Sequence, residues 1–155
     1  MRALVQRVLR AEVTVEKKVI SSIDSGILVF LGFHRTDSKD TLPWLVDKLI
    51  GLRLFEDEAG KMNLDVRETK KSILIVSQFT LYGNCQKGRR PSFIASMPAD
   101  EAERLYTQFI RLFTEQLGVN RVKTGVFGAD MAVSLVNDGP ATFLIESAKK
   151  GAECS

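Results

Sequence analysis

Histidine and cysteine are scarce in this sequence, which contains only His34, Cys85 and Cys154. One histidine cannot supply a His-rich zinc site, and there is no CxxC pair to supply thiolates, so we expect no metal site and no cofactor. A Ser-His-Asp triad would have to use His34, and nothing in the Gly-Phe-His-Arg segment around it favours that role. We interpret His34 as a solvated loop residue.

Long apolar runs are also missing. The longest, Ile27 to Phe33, includes Gly32 and is too short to span a bilayer, and the first residues lack a signal-peptide pattern. Two thiols with no disulfide framework fit a reducing compartment, so a cytoplasmic protein without a membrane segment is expected. Neither sign of charge dominates: the net charge of +3 permits a nucleic-acid partner without demanding one.

A chain of 155 residues is typical of one domain, and one of this size buries roughly 70% of its unfolded surface. There is no βαβαβ rhythm and no GxGxxG motif, so a dinucleotide-binding fold is disfavoured. The pattern instead predicts an α/β fold, a single-domain layered sandwich of mixed or antiparallel β-sheet with two main helices, over residues 1–155.

The apolar periodicity sets the predicted elements. One helix has Pro43 in its first turn and runs to about Leu49, and a second begins at Pro98 and stops before Gly118. About eight short strands are predicted, over residues 1–10, 11–19, 27–33, 52–55, 73–82, 121–127, 131–137 and 141–147.

The most informative stretch is Ile73 to Tyr82, which begins as a buried strand and then acquires the polar residues Ser77, Gln78 and Thr80. Polar groups in a core strand must be hydrogen-bonded. One interpretation is that these groups are hydrogen-bonded within the protein or lie at the end of the strand. The other interpretation is that the strand opens into a ligand pocket. The basic cluster that follows, Lys87 to Arg90, favours the pocket.

Two further features are unusual. Arg7 lies on an otherwise apolar face of the first predicted strand, where it either snorkels at an edge or clamps carbonyl or carboxylate groups. Asn137-Asp138-Gly139-Pro140 separates the last two predicted strands and is typical of a hairpin turn. The sequence does not decide whether the Gly139–Pro140 bond is cis or trans.

Two of these segments together resemble the motif pair of the D-aminoacyl-tRNA deacylases, SQxTLYG and NxGPVT. They are SQFTLY (77–82) and NDGPAT (137–142), with Ala141 where the family more often has valine. The resemblance runs from Met1 to about Ser147, and residues 148–155 are interpreted as a variable tail. The other matching stretches, in the family's order, are MRALVQRV (1–8), LRLFED (52–57), GKMN (60–63), KGRRPSF (87–93) and FGADM (127–131).

The resemblance implies a homodimer that hydrolyses the ester of D-aminoacyl-tRNA and of mischarged glycyl-tRNA. Gly139-Pro140 would be the family's Gly-cisPro pair, inserted from one subunit into the active site of the other. Its carbonyls would occupy the space that an L-side chain needs, which is specificity by rejection and cannot exclude glycine. Arg7 and Asn137 would support the dipeptide.

Catalysis is harder to assign from the sequence. No histidine or lysine lies close enough in the sequence to activate Ser77 or Thr80, and strand alternation would point these two hydroxyls in opposite directions. The resemblance implies that the 2′-hydroxyl of the tRNA assists and that backbone N–H groups of Phe79 and Thr80 bind the oxyanion. Gln78 would orient the ester, with the Thr80 side chain secondary.

Binding roles are also implied by the resemblance. Phe127 and Met131 would surround the terminal adenine, although ordinary core packing explains them equally well. Lys87, Arg89 and Arg90 would meet tRNA phosphates, or they form a solvated loop.

Two other functions remain open. A nucleic-acid-binding module without catalysis would use the same basic cluster, but it would not distinguish D- from L-amino acids. A general esterase with Ser77 or Thr80 as nucleophile would be labelled by acylating or phosphonylating reagents.

Overall fold

The structure, a computed structural model, describes residues 1–147. The proposed tail, 148–155, and Cys154 lie outside the described residues. Within the described range the chain forms eight strands and two α-helices, which confirms the mixed α/β class with two main helices. In chain order they are β1 (Arg2–Val15), β2 (Lys18–Ile23), β3 (Gly26–Gly32), α1 (Leu42–Ile50), β4 (Phe55–Glu56), β5 (Met62–Leu64), β6 (Ser72–Ser77), α2 (Ala99–Leu117), β7 (Val122–Thr124) and β8 (Ala132–Glu146).

The main sheet is built around β1. Strands β3 and β2 pair with its two halves along one edge, and β8 pairs along the other, all antiparallel. Beyond β3 the sheet continues through β6 and β7, which are both parallel to their neighbours. The sheet is therefore mixed, as the sequence predicts. Strands β4 and β5 form a separate two-stranded sheet.

Two predicted strand breaks are wrong. The predicted break between residues 10 and 11 lies inside β1, because register irregularities bend the chain there without the turn residues that would end a strand. The strand instead ends at Val15, and Lys18 and Val19 begin β2. The predicted hairpin turn at residues 137–140 lies inside β8. Val8 pairs with Asn137 and Gln6 with Thr142, so residues 138–141 bulge out opposite Arg7 alone.

Three other predicted strands are shorter than expected. The strand predicted over residues 52–55 is observed as β4, Phe55–Glu56, because these are the two residues that pair with β5. The strand predicted over residues 121–127 is observed as β7, Val122–Thr124, because the pairing with β6 covers three residues. The stretch from Ile73 does not continue as a strand to Tyr82: β6 ends at Ser77, and Phe79–Tyr82 is a 3-10 helix.

Strand β6 is buried on both faces, as predicted from its apolar run. Ile73 and Ile75 join the cluster that contacts the two helices, whereas Leu74 and Val76 join a second cluster with β1 and β2 on the opposite face. The predicted apolar positions of α1 are all buried. Pro98 precedes α2 as its N-cap rather than opening it, and Gly118, with φ of 84°, ends it. No helix within residues 1–147 has the length and apolar character needed to cross a bilayer.

The buried tyrosines predict how stability depends on pH. Tyr106 on α2 donates a 2.8 Å hydrogen bond to the carbonyl of Ile75, and burial raises the pKa of both Tyr106 and Tyr82 above the ordinary value of 10.0. The folded state therefore holds these protons more tightly than the unfolded state. Stability is fully present below pH 10 and is lost as the pH rises above it, by about 1.4 kcal/mol per pH unit for each tyrosine.

Urea unfolding of wild type and Tyr106→Phe between pH 7 and 11 measures this effect. At pH 7 the variant should lose about 1–3 kcal/mol because the Ile75 carbonyl is left without its donor. Above pH 10 it should lose stability with about half the wild-type slope, since only Tyr82 remains to titrate. Equal alkaline slopes in the two proteins would contradict the assignment to Tyr106.

Candidate active site

A cleft of about 530 Å³ opens where the parallel strands β3 and β6 end side by side. Ligand crevices commonly lie outside the carboxyl ends of parallel strands, because the chain leaves the sheet there. The walls come from residues 31–33 and 76–79, from Met97 and the start of α2, and from residues 127–131 with Val133. The pocket that the polar residues after β6 predicted is therefore present at that position.

Gly32 allows the two strand ends to approach closely. A Cβ on this residue would lie 2.7 Å from the carbonyl oxygen of Gln78 and 3.2 Å from the Leu81 side chain. Sequence reasoning missed this wall and the one formed by the start of α2. A glycine inside an otherwise apolar strand was the available signal, since it indicates a close approach of another backbone.

The backbone after β6 turns sharply at the mouth of the cleft. The amide of Gln78 bonds the carbonyl of Leu31 at 2.7 Å, and the amide of Leu81 bonds that of Gln78 at 3.3 Å. Between them, the amides of Phe79 and Thr80 begin a 3-10 helix, and such amides have no acceptor within their own helix. Within residues 1–147, neither makes a hydrogen bond. Ser96 Oγ donates to the Phe79 carbonyl at 3.1 Å and steadies this turn.

The predicted catalytic side chains do not form a nucleophilic pair. Ser77, Gln78 and Phe79 line the cleft, but Thr80 does not, and its side chain is exposed. The Thr80 hydroxyl instead accepts a hydrogen bond from Gln78 Nε2. Both interpretations of these polar groups therefore hold, because the strand ends at Ser77, and Ser77 and Gln78 line the cleft.

Ionisable groups are nearly absent from the cleft. Among its lining residues only Asp130 can titrate. In the part of the chain that the structure describes, no group of three or more His, Cys, Asp or Glu could hold a metal. His34 lies outside the cleft, 5.3 Å from the Tyr82 ring, with Nδ1 bonded to Thr36. Its side chain is partly exposed.

Phe127 and Met131 both line the same cleft as residues 77–79. The Phe127 ring lies 5.6 Å from that of Tyr106 on α2. Gly125 leaves room for the Met131 side chain, because a Cβ on Gly125 would lie 2.6 Å from the sulfur of Met131. Both side chains are only partly buried, so an apolar surface remains for a ligand.

Gly139 and Pro140 lie on the bulge of β8, are exposed, and are not part of this chain's own cleft. Their peptide bond is cis, and Gly139 has φ of +116°, a conformation that favours glycine. The two residues predicted to support them do lie against the bulge. Asn137 Nδ2 donates to the carbonyls of Arg7 at 2.8 Å and Ala141 at 3.1 Å, which closes the base of the bulge.

Arg7 is 8% exposed and packs against the bulge. Its NH1 group donates to the Leu54 carbonyl at 2.7 Å, and its Nε lies 2.9 Å from Asp138 Oδ2. The second contact is an ion pair without a well-aligned hydrogen bond, since the Nε–H finds no acceptor in its direction. Arg7 therefore clamps a carbonyl and a carboxylate, one of the two roles considered for it.

The basic cluster lies apart from the cleft. Lys87, Arg89 and Arg90 are exposed on a loop that is closed by two backbone hydrogen bonds between Asn84 and Ser92, of 2.8 and 2.9 Å. None of the ion pairs within residues 1–147 involves these three side chains.

Comparison with known proteins identifies the family of this chain. A family model described as D-Tyr-tRNA(Tyr) deacylase matches residues 4–146. A protein of Geobacter metallireducens named D-aminoacyl-tRNA deacylase is 54% identical, over 96% of this chain and 97% of the relative. One of the same name from Thermotoga petrophila is 51% identical, over 96% and 99%.

Two solved structures share the fold. One, titled "c-Myc DNA Unwinding Element Binding Protein", has a TM-score of 0.92 and 43% identity over 96% of this chain and 100% of its own. The other, titled as a probable eukaryotic D-amino acid tRNA deacylase, has a TM-score of 0.81 at 22% identity, over 93% and 98%, and supports the fold alone. With the family match covering nearly the whole described chain, this protein belongs to the D-aminoacyl-tRNA deacylase family, a family of hydrolases.

Proposed function

We propose that this protein hydrolyses the ester that joins a D-amino acid to the terminal ribose of tRNA, releasing the free amino acid and tRNA. The observation that carries the proposal is the pair of adjacent free amides, those of Phe79 and Thr80, at the mouth of a cleft that lacks an activated nucleophile. Two convergent N–H groups suit the oxyanion of a tetrahedral ester intermediate. Removing one such donor from an enzyme typically costs roughly 10²–10³ in turnover.

The reaction follows from these groups. Water attacks the ester carbonyl carbon, and the carbonyl oxygen takes the negative charge opposite the amides of Phe79 and Thr80. The bond to the ribose 3′-oxygen then breaks, and that oxygen receives a proton. Gln78 lines the cleft and would orient the ester, while the Thr80 hydroxyl holds the Gln78 side-chain amide in position.

The cleft offers few groups that could accept the proton, because Asp130 is the one ionisable residue that lines it. The 2′-hydroxyl of the terminal ribose is adjacent to the ester and can move the proton without any protein base. Phe127 and Met131 offer an apolar surface within the same cleft, which suits the terminal adenine. Lys87, Arg89 and Arg90 are exposed, and none of them forms an ion pair with another residue of the described range 1–147, as phosphate contacts would require.

Chirality would be read by a second copy of the chain. Gly139 and Pro140 are exposed on the bulge of β8 and do not line their own cleft, which leaves them available to the cleft of a partner in a homodimer. Strand β8 is an edge strand with exposed apolar residues, including Leu144 at 55%, and such edges are normally covered. The inserted dipeptide would leave no room for an L-side chain but would accept glycine, so mischarged glycyl-tRNA should also be cleaved.

Deacylation of D-tyrosyl-tRNA, L-tyrosyl-tRNA and glycyl-tRNA under identical conditions tests the proposal. We expect the D-tyrosyl and glycyl esters to be lost and the L-ester to be spared. Cleavage of both enantiomers would contradict the rejecting role of Gly139-Pro140. Failure to cleave any of the three would contradict the enzymatic function itself.

Ser77→Ala and Thr80→Ala test the role of the two hydroxyls. We expect each variant to retain turnover of the D-ester within about tenfold of wild type, because the oxyanion is bound by backbone groups that both substitutions preserve. Thr80→Ala should have the larger effect, since it frees the Gln78 side chain. Loss of turnover by more than 10³-fold in both well-folded variants would restore a side-chain nucleophile.

Two other functions are tested by the same assays. A non-catalytic nucleic-acid-binding module is favoured by the DNA-binding title of the relative at 43% identity, and it predicts tRNA binding without deacylation. A general esterase predicts covalent labelling at Ser77 or Thr80 by a phosphonylating reagent and hydrolysis of small esters that contain no nucleotide.

A further inference from the structure

Beside the cleft lies an exposed aromatic step, formed by Phe79 and Phe93. We propose that the Phe93 face of this step stacks the base of the penultimate nucleotide of an unpaired 3′ strand, so that the protein recognises more than the terminal adenosine. The inference rests on the proposed function for the identity of the strand, and it adds a binding residue that the reaction itself does not require.

The two rings make a rigid, half-exposed platform. Their centroids are 5.1 Å apart at an interplanar angle of 61°, an edge-to-face arrangement. Phe79 is 57% exposed and Phe93 38%. Phe93 also covers Gly83, where a Cβ would lie 3.0 Å from the ring and from the Thr80 carbonyl oxygen. The ring is thus held from two sides before any ligand arrives, which lowers the entropic cost of binding.

Position and charge indicate which ligand suits this platform. Phe79 lines the cleft, and its ring contacts that of Phe93. The two rings therefore form one aromatic surface that begins at the site proposed for the ester. Phe93 follows the loop that carries Lys87, Arg89 and Arg90, and the Asn84–Ser92 pairing closes that loop immediately before it. Aromatic rings beside exposed cations are the combination that binds single-stranded nucleic acid, with stacking worth about 1–3 kcal/mol per base.

Packing on Gly83 alone does not explain the exposed ring. A ring that served only to cover Gly83 could be buried completely, yet Phe93 is 38% exposed. The competing occupant is the partner subunit of the proposed homodimer, which could cover the same rings. That occupant predicts a change in oligomeric state rather than in RNA affinity, so the two are separable.

Phe93→Leu tests the proposal, because leucine preserves apolar packing on Gly83 but removes the stacking face. The substrates are D-tyrosyl-tRNA and the D-tyrosyl ester of adenosine alone, which has no penultimate base. We expect the ratio of kcat/KM for the tRNA to that for the adenosine ester to fall about 5- to 150-fold, mainly through KM. Phe93→Tyr should restore the ratio, and Ile94→Ala is the matched neighbouring control that should leave it unchanged.

A binding measurement separates this inference from the proposed function. Uncharged tRNA should bind Phe93→Leu more weakly than wild type by a similar factor, whereas tRNA trimmed of its last two nucleotides should bind both proteins equally. That result would support stacking even if no ester were cleaved. Equal losses on the full and the trimmed tRNA, an unchanged ratio of kcat/KM, or dissociation of a dimer in light scattering on Phe93→Leu would each overturn the proposal.

Discussion

A substrate whose terminal ribose carries hydrogen in place of the 2′-hydroxyl is expected to be hydrolysed about 10²–10⁴-fold more slowly, the usual contribution of a positioned proton-transfer group. The reason is the composition of the cleft. The amides of Phe79 and Thr80 would bind the oxyanion, but Asp130 is the one residue lining the cleft that could transfer a proton. The 2′-hydroxyl is the nearest group on the substrate that can carry the proton. Single-turnover deacylation of matched ribo- and 2′-deoxy-terminated D-tyrosyl-tRNA measures the difference.

Two controls make this result specific. The 2′-deoxy substrate should compete for binding about as well as the ribo substrate, so that the loss lies in turnover rather than in affinity. Asp130→Asn should retain most of its turnover because Asp130 is exposed at the edge of the cleft. Undiminished cleavage of the 2′-deoxy substrate together with an inactive Asp130→Asn would instead identify Asp130 as the base.

Replacing Arg7 should have the second largest effect, on both stability and selectivity. Arg7→Ala leaves Asp138 without its cation and the buried Leu54 carbonyl without its donor. Because the Asp138 side chain is 36% exposed, the lost ion pair is screened by solvent, and the loss of about 1–3 kcal/mol comes mainly from the Leu54 carbonyl. The bulge that carries Gly139 and Pro140 also loses its support, so the ratio of D- to L-tyrosyl-tRNA cleavage should fall more than tenfold. Urea unfolding and the two deacylation rates measure these effects.

Arg111 provides the matched control. Its Nε lies 2.8 Å from Glu115, a similar distance to the pair of Arg7, but the Arg111 side chain is on the surface of α2. Arg111→Ala should change the free energy of unfolding by no more than about 0.5 kcal/mol. Arg7→Lys covers the case in which Arg7→Ala does not fold, since lysine keeps the charge but cannot reach Asp138 and Leu54 together. An unchanged D-to-L ratio in folded Arg7→Lys would contradict the role assigned to this arginine.

The strands were predictable where their pattern was simple and unpredictable where long-range pairing decided their length. Ile73 to Val76 is a run of apolar residues, and it is buried on both faces as expected. By contrast, β1 continues without interruption across the predicted boundary between residues 10 and 11, because β8 pairs with β1 on both sides of its register irregularities. Residues 137–140 contain a complete set of turn residues, yet they form a bulge within one strand.

The site shows the same division. Ser77 and Gln78 were predicted to face a pocket because polar groups after a core strand need a partner, and they do line a cleft. No sequence pattern indicated that Phe79 and Thr80 would begin a 3-10 helix and leave their amides free. The short helix is set by contacts with the end of β3, where Gly32 lets the two backbones approach.

The sequence by itself determined the fold class, the family and the residue types available for chemistry. Those follow from local periodicity, from two long motifs and from the presence of a single histidine, all of which can be read from the order of residues along the chain. Only the tertiary structure decided that Arg7 clamps Asp138, that Phe127 and Met131 share a cleft with Ser77, and that Gly139-Pro140 does not line that cleft. These facts depend on which strands pair and in which register, and pairing is set by the burial and hydrogen bonding of the whole sheet rather than by any one segment.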